Sequence, residues 1–160
     1  MQSMSETQKK PRERMDWLGL FSFGFFILLV GIIWLSTPGL NEDVVSFLTP
    51  ENWYNRRVVG DIYFPSPKPY IDYTVLYTAV MEFCFIFAVY HVVVLAIRFG
   101  LRESINRKAG TVSSIVFWFS AGSFVYWMAN GTIGWFSFIG GLIVSVGLAI
   151  IASSVVKLFR

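Results

Sequence analysis

Charge is what this sequence has least of, and it is missing in blocks. No Asp, Glu, Lys, Arg or His occurs from Trp17 to Asn41, and none from Ala109 to Val156. Charged residues make up 14% of the chain and hydrophobic ones 55%, whereas soluble domains run near a quarter charged. A soluble core helix of this length keeps a polar face. These blocks have none, which excludes an ordinary soluble domain.

Cysteine and histidine are almost absent as well. Cys84 is the one cysteine, so an intrachain disulfide is excluded. Cys84 and the one histidine, His91, cannot make a three- or four-ligand zinc site within a single chain. No metal or other cofactor is expected. There is no glycine-rich phosphate loop, no HExxH and no CxxC. No acid inside the apolar runs lies near enough to His91 to orient it as a triad requires, so an enzyme is not expected. The basic residues flank apolar runs instead of forming a groove, which argues against nucleic acid as a partner.

What is present is a set of long apolar runs. Trp17 to Ser36 is twenty uncharged residues. At about 1.5 Å per residue they cover the roughly 30 Å hydrocarbon core of a bilayer. Thr37-Pro38-Gly39 then stops the helix. The basic lead KKPRER suits a signal peptide, but the run is longer than a usual signal core and no small-x-small cleavage site follows. A retained helix is expected. Ile71 to Ile97 is the second run, Gly110 to Ala129 the third, and Thr132 to Val156 the fourth. Asn130-Gly131 marks the turn between the last two. Asn130-Gly131-Thr132 also matches a glycosylation sequon, but a turn pressed against the membrane leaves a glycan-transferring enzyme little room.

The expected fold is all-α: a polytopic membrane protein whose single domain, 16–157, has four transmembrane helices at about 16–37, 71–98, 108–129 and 132–157. Residues 1–15 form a basic tail. Residues 38–70 form an external segment. Within it, a short helix is expected near Asn41–Leu48. A second is expected near Pro50–Arg57, where Thr49-Pro50-Glu51 gives a start signal. The proline-rich Phe64–Pro69 stretch reads as extended.

The charges set an expected orientation. Lys9, Lys10, Arg12 and Arg14 precede the first run. Arg98, Arg102, Arg107 and Lys108 surround the connection between the second and third, and Lys157 and Arg160 follow the fourth. With four crossings these ten of the 13 basic residues share one side. Basic flanks stay cytoplasmic, which gives both termini cytoplasmic (N-in, C-in) in a multi-pass protein of the cell (plasma) membrane. The basic connection lies beside the inner leaflet and reads first as a topology signal, with anionic lipid as its other use.

Three polar or small-residue features stand out inside the runs. Glu82 lies about eleven residues into the second run, near the bilayer midplane, with no Lys or Arg at its depth. An ionisable group there costs roughly 2.5–3.5 kcal/mol on insertion scales. It is expected to be buried in a polar cluster with Ser120 or Ser145, which fall at its level, or Thr78, one turn earlier on the same face. Such a cluster would serve as a helix clamp, a partner contact, or the ion site of a small oligomeric transporter or channel. His91 is expected near the inner interface, on the opposite side of its helix from Glu82 and on the same side as Cys84 and Arg98. Ser137, Gly141, Ser145, Ala149 and Ser153 repeat small residues every fourth position of the last run, a surface for close helix packing. Gly24 and Gly31 suggest a similar surface in the first.

The stretch LYTAVMEFCFIF…VVVLAIRF…LRESINRKAGTVSSIVFWFSAG, within residues 76–122, resembles a group of small uncharacterised archaeal membrane proteins with four helices. The resemblance implies the topology and no activity. The functional expectation is a non-enzymatic accessory or interaction subunit, working in the lipid bilayer as a homo-oligomer or within a larger membrane complex.

Overall fold

The computed structural model describes residues 17–158, apart from the side chain of Tyr70. The expected tail at 1–15 lies outside the described residues. Five helices and one β-hairpin follow in chain order. They are α1 (Trp17–Ser36), α2 (Leu40–Leu48), strands β1 (Trp53–Val59) and β2 (Ile62–Pro67), then α3 (Thr74–Gly100), α4 (Ile105–Ala129) and α5 (Trp135–Leu158). A 3-10 turn precedes β1 at Pro50–Asn52, and another leads into α3 at Tyr70–Tyr73. Four helices, α1, α3, α4 and α5, are long and apolar enough to cross a membrane.

The four long helices form an open row. The extensive pairs are α3 with α4 and α4 with α5, while α1 makes a lighter contact with α3. Only Leu29 and Ile33 of α1 are buried. Rings make that contact. Phe26 meets Phe83 and Phe87 edge-on at 5.2 and 5.6 Å between centroids, and Phe25 stacks on Tyr90 at 4.0 Å. Trp118 of α4 closes the group against Phe83 and Phe87. Ring pairs of this kind contribute on the order of 1 kcal/mol each beyond their area. That matters in lipid, where burial of area alone gives helices little reason to associate.

The other two seams are close approaches at glycine. A Cβ on Gly122 would come 3.0 Å from the Cβ of Cys84 in α3, and a Cβ on Gly141 would sit inside the ring of Phe124 in α4. The small-residue ladder is therefore a packing surface within the chain, and its centre does the packing. Gly141, Ser145 and Ala149 are buried, whereas Ser137 is exposed and Ser153 half-buried because the row is open at the ends of α5. Gly24 and Gly31 are not such a surface. Open space surrounds both, since α1 touches α3 through rings on another face.

The external segment departs from the expected all-α fold. α2 forms as expected, but the second helix does not. The chain makes a single 3-10 turn at Pro50–Asn52 and then pairs β1 with β2 antiparallel, with a bulge between Arg57 and Val59. The reason is composition. Trp53, Tyr54, Val58, Val59, Ile62, Tyr63 and Phe64 are strand formers on either side of Gly60-Asp61. Gly60, at φ +54°, takes the positive φ that a two-residue hairpin turn needs in its first position. The start signal at Thr49 yields one turn and no more.

Both sharp helix connections use the same backbone device. Gly131, at φ +69°, ends α4, with Gly131 N–H donating to Met128 O and Thr132 N–H to Trp127 O. Arg102, at φ +50°, ends α3, with Arg102 N–H donating to Phe99 O and Glu103 N–H to Arg98 O. This is the left-handed cap in which glycine is usual. An arginine there carries a strain on the order of 1 kcal/mol. The basic connection is consequently much tighter than expected: Arg98 belongs to α3, Arg107 and Lys108 to α4, and four residues separate the helices.

Candidate functional site

The expected polar cluster around Glu82 does not form. Glu82 is exposed on the side of α3 and makes no hydrogen bond or ion pair among the described residues. Ser120 donates to Val116 O at 2.6 Å and Ser145 to Gly141 O at 2.9 Å, each within its own helix. Ser145 is fully buried in the α4–α5 seam, away from Glu82. Thr78 is half-buried and makes no hydrogen bond to Glu82. A membrane serine satisfies its hydroxyl one turn back on its own helix, and that local bond has won at Ser120 and Ser145.

The depth of Glu82 also shifts. Ser22 meets Tyr90, and Phe26 meets Phe83 and Phe87, so α1 and α3 run antiparallel with Glu82 level with about Val30. That places it about 9 Å inside the hairpin end of α1 instead of at the centre. The first turns of α3 are covered by α2, where the Asp43 carboxylate accepts the Leu76 N–H at 3.1 Å. Toward the other end of the molecule, the Glu82 stripe continues as Ile86, Val89, Val93 and Ile97, all exposed. The result is a carboxyl at one end of an uncovered apolar helix face.

The polar chemistry gathers instead at the loop end, where α1 begins, α3 ends and α4 begins. His91 and Arg98 are 8% and 6% exposed, and Thr111 is buried beside them. His91 Nδ1 lies 2.8 Å from Phe87 O. A carbonyl only accepts, so Nδ1 carries the hydrogen and Nε2 is the other polar atom of the ring. Glu103 bridges two guanidiniums, 2.9 Å from Arg98 Nη1 and 3.3 Å from Arg107 Nη1. The left-handed turn at Arg102 makes this geometry. It brings the Glu103 backbone onto Arg98 O and its side chain onto Arg98 Nη1. A cavity of about 280 Å3 opens here, lined by Gly19 and Ser22 of α1, His91, Val94 and Arg98 of α3, and Arg107, Gly110, Thr111 and Ser114 of α4.

Of the residues picked from sequence, His91, Arg98 and Arg107 converge on this cavity. Arg102 and Lys108 do not line it; Lys108 lies over the Phe99 ring at 4.4 Å. Sequence reasoning missed Ser22, Glu103 and Thr111. The signal for Thr111 was its four-residue spacing from Arg107 on a helix that must fold back on α3. For Glu103, it was the single acid among four basic residues. Ser22 gave no signal, because nothing local says which face of α1 meets α3.

A second cavity, about 510 Å3, lies under the hairpin between Tyr54, Arg56, Ser66, Lys68, Tyr77 and Trp135. Its cations are exposed, and its buried Ser66 bonds to Pro67 O. Among the described residues, no group of three His, Cys, Asp or Glu could hold a metal ion. Comparison of the chain with protein-family models, curated proteins and solved structures gives no match.

Proposed function

We propose that this chain is a non-enzymatic accessory or interaction subunit of a membrane assembly, and that it works through the lateral face of α3. The observation that carries the reading is Glu82. A carboxyl about 9 Å inside an apolar span, open to the side and without a hydrogen-bond or ion-pair partner among the described residues, is costly against lipid. A neighbouring protein that supplies a hydrogen-bond donor removes that cost. The exposed stripe Ile86, Val89, Val93 and Ile97 supplies the apolar part of the same contact. Neither the loop-end cavity nor the one under the hairpin is lined by Glu82, which weighs against an ion pathway through it. The ten flanking basic residues favour a cytoplasmic loop end, both termini inside, in the plasma membrane.

The test places a photo-crosslinking amino acid at Val89 and, as a control, at Ile151 on the far edge of α5, in native membranes. A discrete protein adduct from Val89, abolished by Glu82→Leu, supports the reading. Adducts to lipid alone from Val89 sink it.

A further inference from the structure

We infer that the cavity under the hairpin and an apolar groove along α2 form one binding site for an anionic phospholipid, with the headgroup under the hairpin and an acyl chain in the groove. The inference does not rest on the lateral face of α3, because neither Glu82 nor its exposed stripe lines the cavity or the groove. Three observations carry it. The first is continuity. The outer stretch of the groove, about 240 Å3, shares Tyr77, Met128 and Trp135 with the cavity of about 510 Å3. It shares Val44, Leu76 and Val80 with an inner stretch of about 370 Å3. Aliphatic and aromatic side chains make nearly all of the wall. The inner stretch reaches Phe26 of α1 and Cys84 of α3, each ten residues from the hairpin end of its helix. That is about 15 Å, half of the roughly 30 Å hydrocarbon core and so the depth of one leaflet.

The second observation is charge at the mouth. Strand alternation puts Tyr54 and Arg56 on the same face of β1, with Ser66 paired to Tyr54 and Lys68 two residues further on. All four line the cavity, and among the described residues no acid does. Of the three basic residues in the external segment, Arg57 is engaged by Asp61 and by Gly60 O. The side chains of Arg56 and Lys68 make no ion pair or hydrogen bond among the described residues. A guanidinium fork matches a phosphate, and a lysine adds a point charge. The third observation is the level and the firmness of the mouth. Trp53 meets Trp135 edge-on at 5.6 Å, and Phe64 meets Phe136 at 5.3 Å, which seats the hairpin on the start of α5. Tryptophan and tyrosine gather where membrane meets water, the level of lipid headgroups. A polar mouth over an apolar slot fits an amphiphile. A free anion would leave the slot unfilled, and an apolar partner helix would leave both cations unanswered.

The test uses the purified full chain and a phosphatidylglycerol with a photoreactive group in its acyl chain, and adducts are mapped by peptide mass spectrometry. The competitors are unlabelled phosphatidylglycerol, phosphatidylcholine with the same chains, and glycerol 3-phosphate. Adducts are expected at Val44, Leu76 and Val80, displaced by unlabelled phosphatidylglycerol and by neither of the other two. This arm needs no variant, so it decides even if a substitution disturbs folding. Three variants then locate the head and the tail, with circular dichroism confirming that each is folded. Arg56→Gln removes a cation from the mouth and should lower labelling roughly fivefold, the worth of one charge near a membrane surface. Arg57→Gln removes an equal charge from an exposed neighbour that does not line the cavity, and should leave labelling near wild type. Val80→Trp fills the passage between the two stretches of groove with every charge retained, at a position 39% exposed that has room for the ring. Labelling of the groove should fall to background. Equal displacement by the two lipids overturns the headgroup site, and displacement by glycerol 3-phosphate overturns the lipid in favour of a soluble anion. Adducts spread over the exposed faces of α1 and α5, unchanged labelling of Val80→Trp, or equal losses in Arg56→Gln and Arg57→Gln overturn the joined site.

Discussion

The two halves of α3 treat charge in opposite ways. Toward the loop end, Arg98 and His91 are buried and answered within the chain, by Glu103 and by the Phe87 carbonyl. Toward the hairpin end, Glu82 is exposed and makes no hydrogen bond or ion pair among the described residues. One helix therefore carries a self-sufficient polar site and an unfinished one. The difference comes from the neighbours. A connection of four residues pins α4 against the loop end of α3, so a charge there finds protein on several sides. At Glu82, among the described residues, no helix covers the outward face of α3.

The largest effect is expected where the chain satisfies its own charge. Glu103→Gln removes the carboxylate between two guanidiniums and costs on the order of 3 kcal/mol. The measurement is reversible unfolding in mixed micelles. If the loss is no larger than that of an exposed pair, about 0.5 kcal/mol, the loop end is not the self-sufficient site described above.

Next comes the glycine seam. Gly141→Leu drives a side chain into the Phe124 ring and costs about 1–3 kcal/mol, whereas Gly147→Leu on the same helix meets open space and stays within about 0.5 kcal/mol. A thermal melt of the two variants side by side decides it. Equal effects would mean that α4 and α5 are not joined at Gly141.

Asp43→Ala, at the hairpin end, is smaller again. It takes the acceptor from the Leu76 N–H at the start of α3 and costs about 1 kcal/mol, as a lost helix cap does. Hydrogen exchange at Leu76 should speed up while exchange in α5 does not change.

The sequence made the spans legible because the signal was strong and redundant: an apolar run of the right length has no competing fold. Ladder spacing in the last run found Gly141, Ser145 and Ala149 for a similar reason, since small residues four apart can only share a face. The hairpin was hidden because Thr49-Pro50-Glu51 is a genuine helix start, and the strand formers from Trp53-Tyr54 to Phe64 around Gly60-Asp61 lie beyond that local signal. The polar cluster failed for a more general reason. Level along the membrane normal can be counted from sequence, but rotation about each helix axis cannot. Ser120, Ser145 and Glu82 were placed near one depth without any means of knowing that they face different neighbours. His91 and Arg98 fared better because seven residues bring a helix back to nearly the same face.

Glu82→Leu is the substitution that sets the two halves of α3 against each other most directly. Were Glu82 held within its own chain as Arg98 is, leucine would destabilise the isolated protein. Here it removes no hydrogen bond among the described residues and extends the apolar stripe that already includes Ile86 and Val89, so the purified chain should unfold within about 0.5 kcal/mol of wild type, or slightly later. The loss should show only in the membrane, as a smaller complex on native electrophoresis of gently solubilised material. Glu82→Gln separates the two properties of the carboxyl. The amide keeps a hydrogen-bonding oxygen and loses the charge, so a complex that survives glutamine but not leucine is held by a hydrogen bond to Glu82, and one that is lost with both requires the ionised group. Marked destabilisation of the purified Glu82→Leu chain would instead mean that Glu82 is satisfied internally, and the contrast between the halves of α3 would disappear.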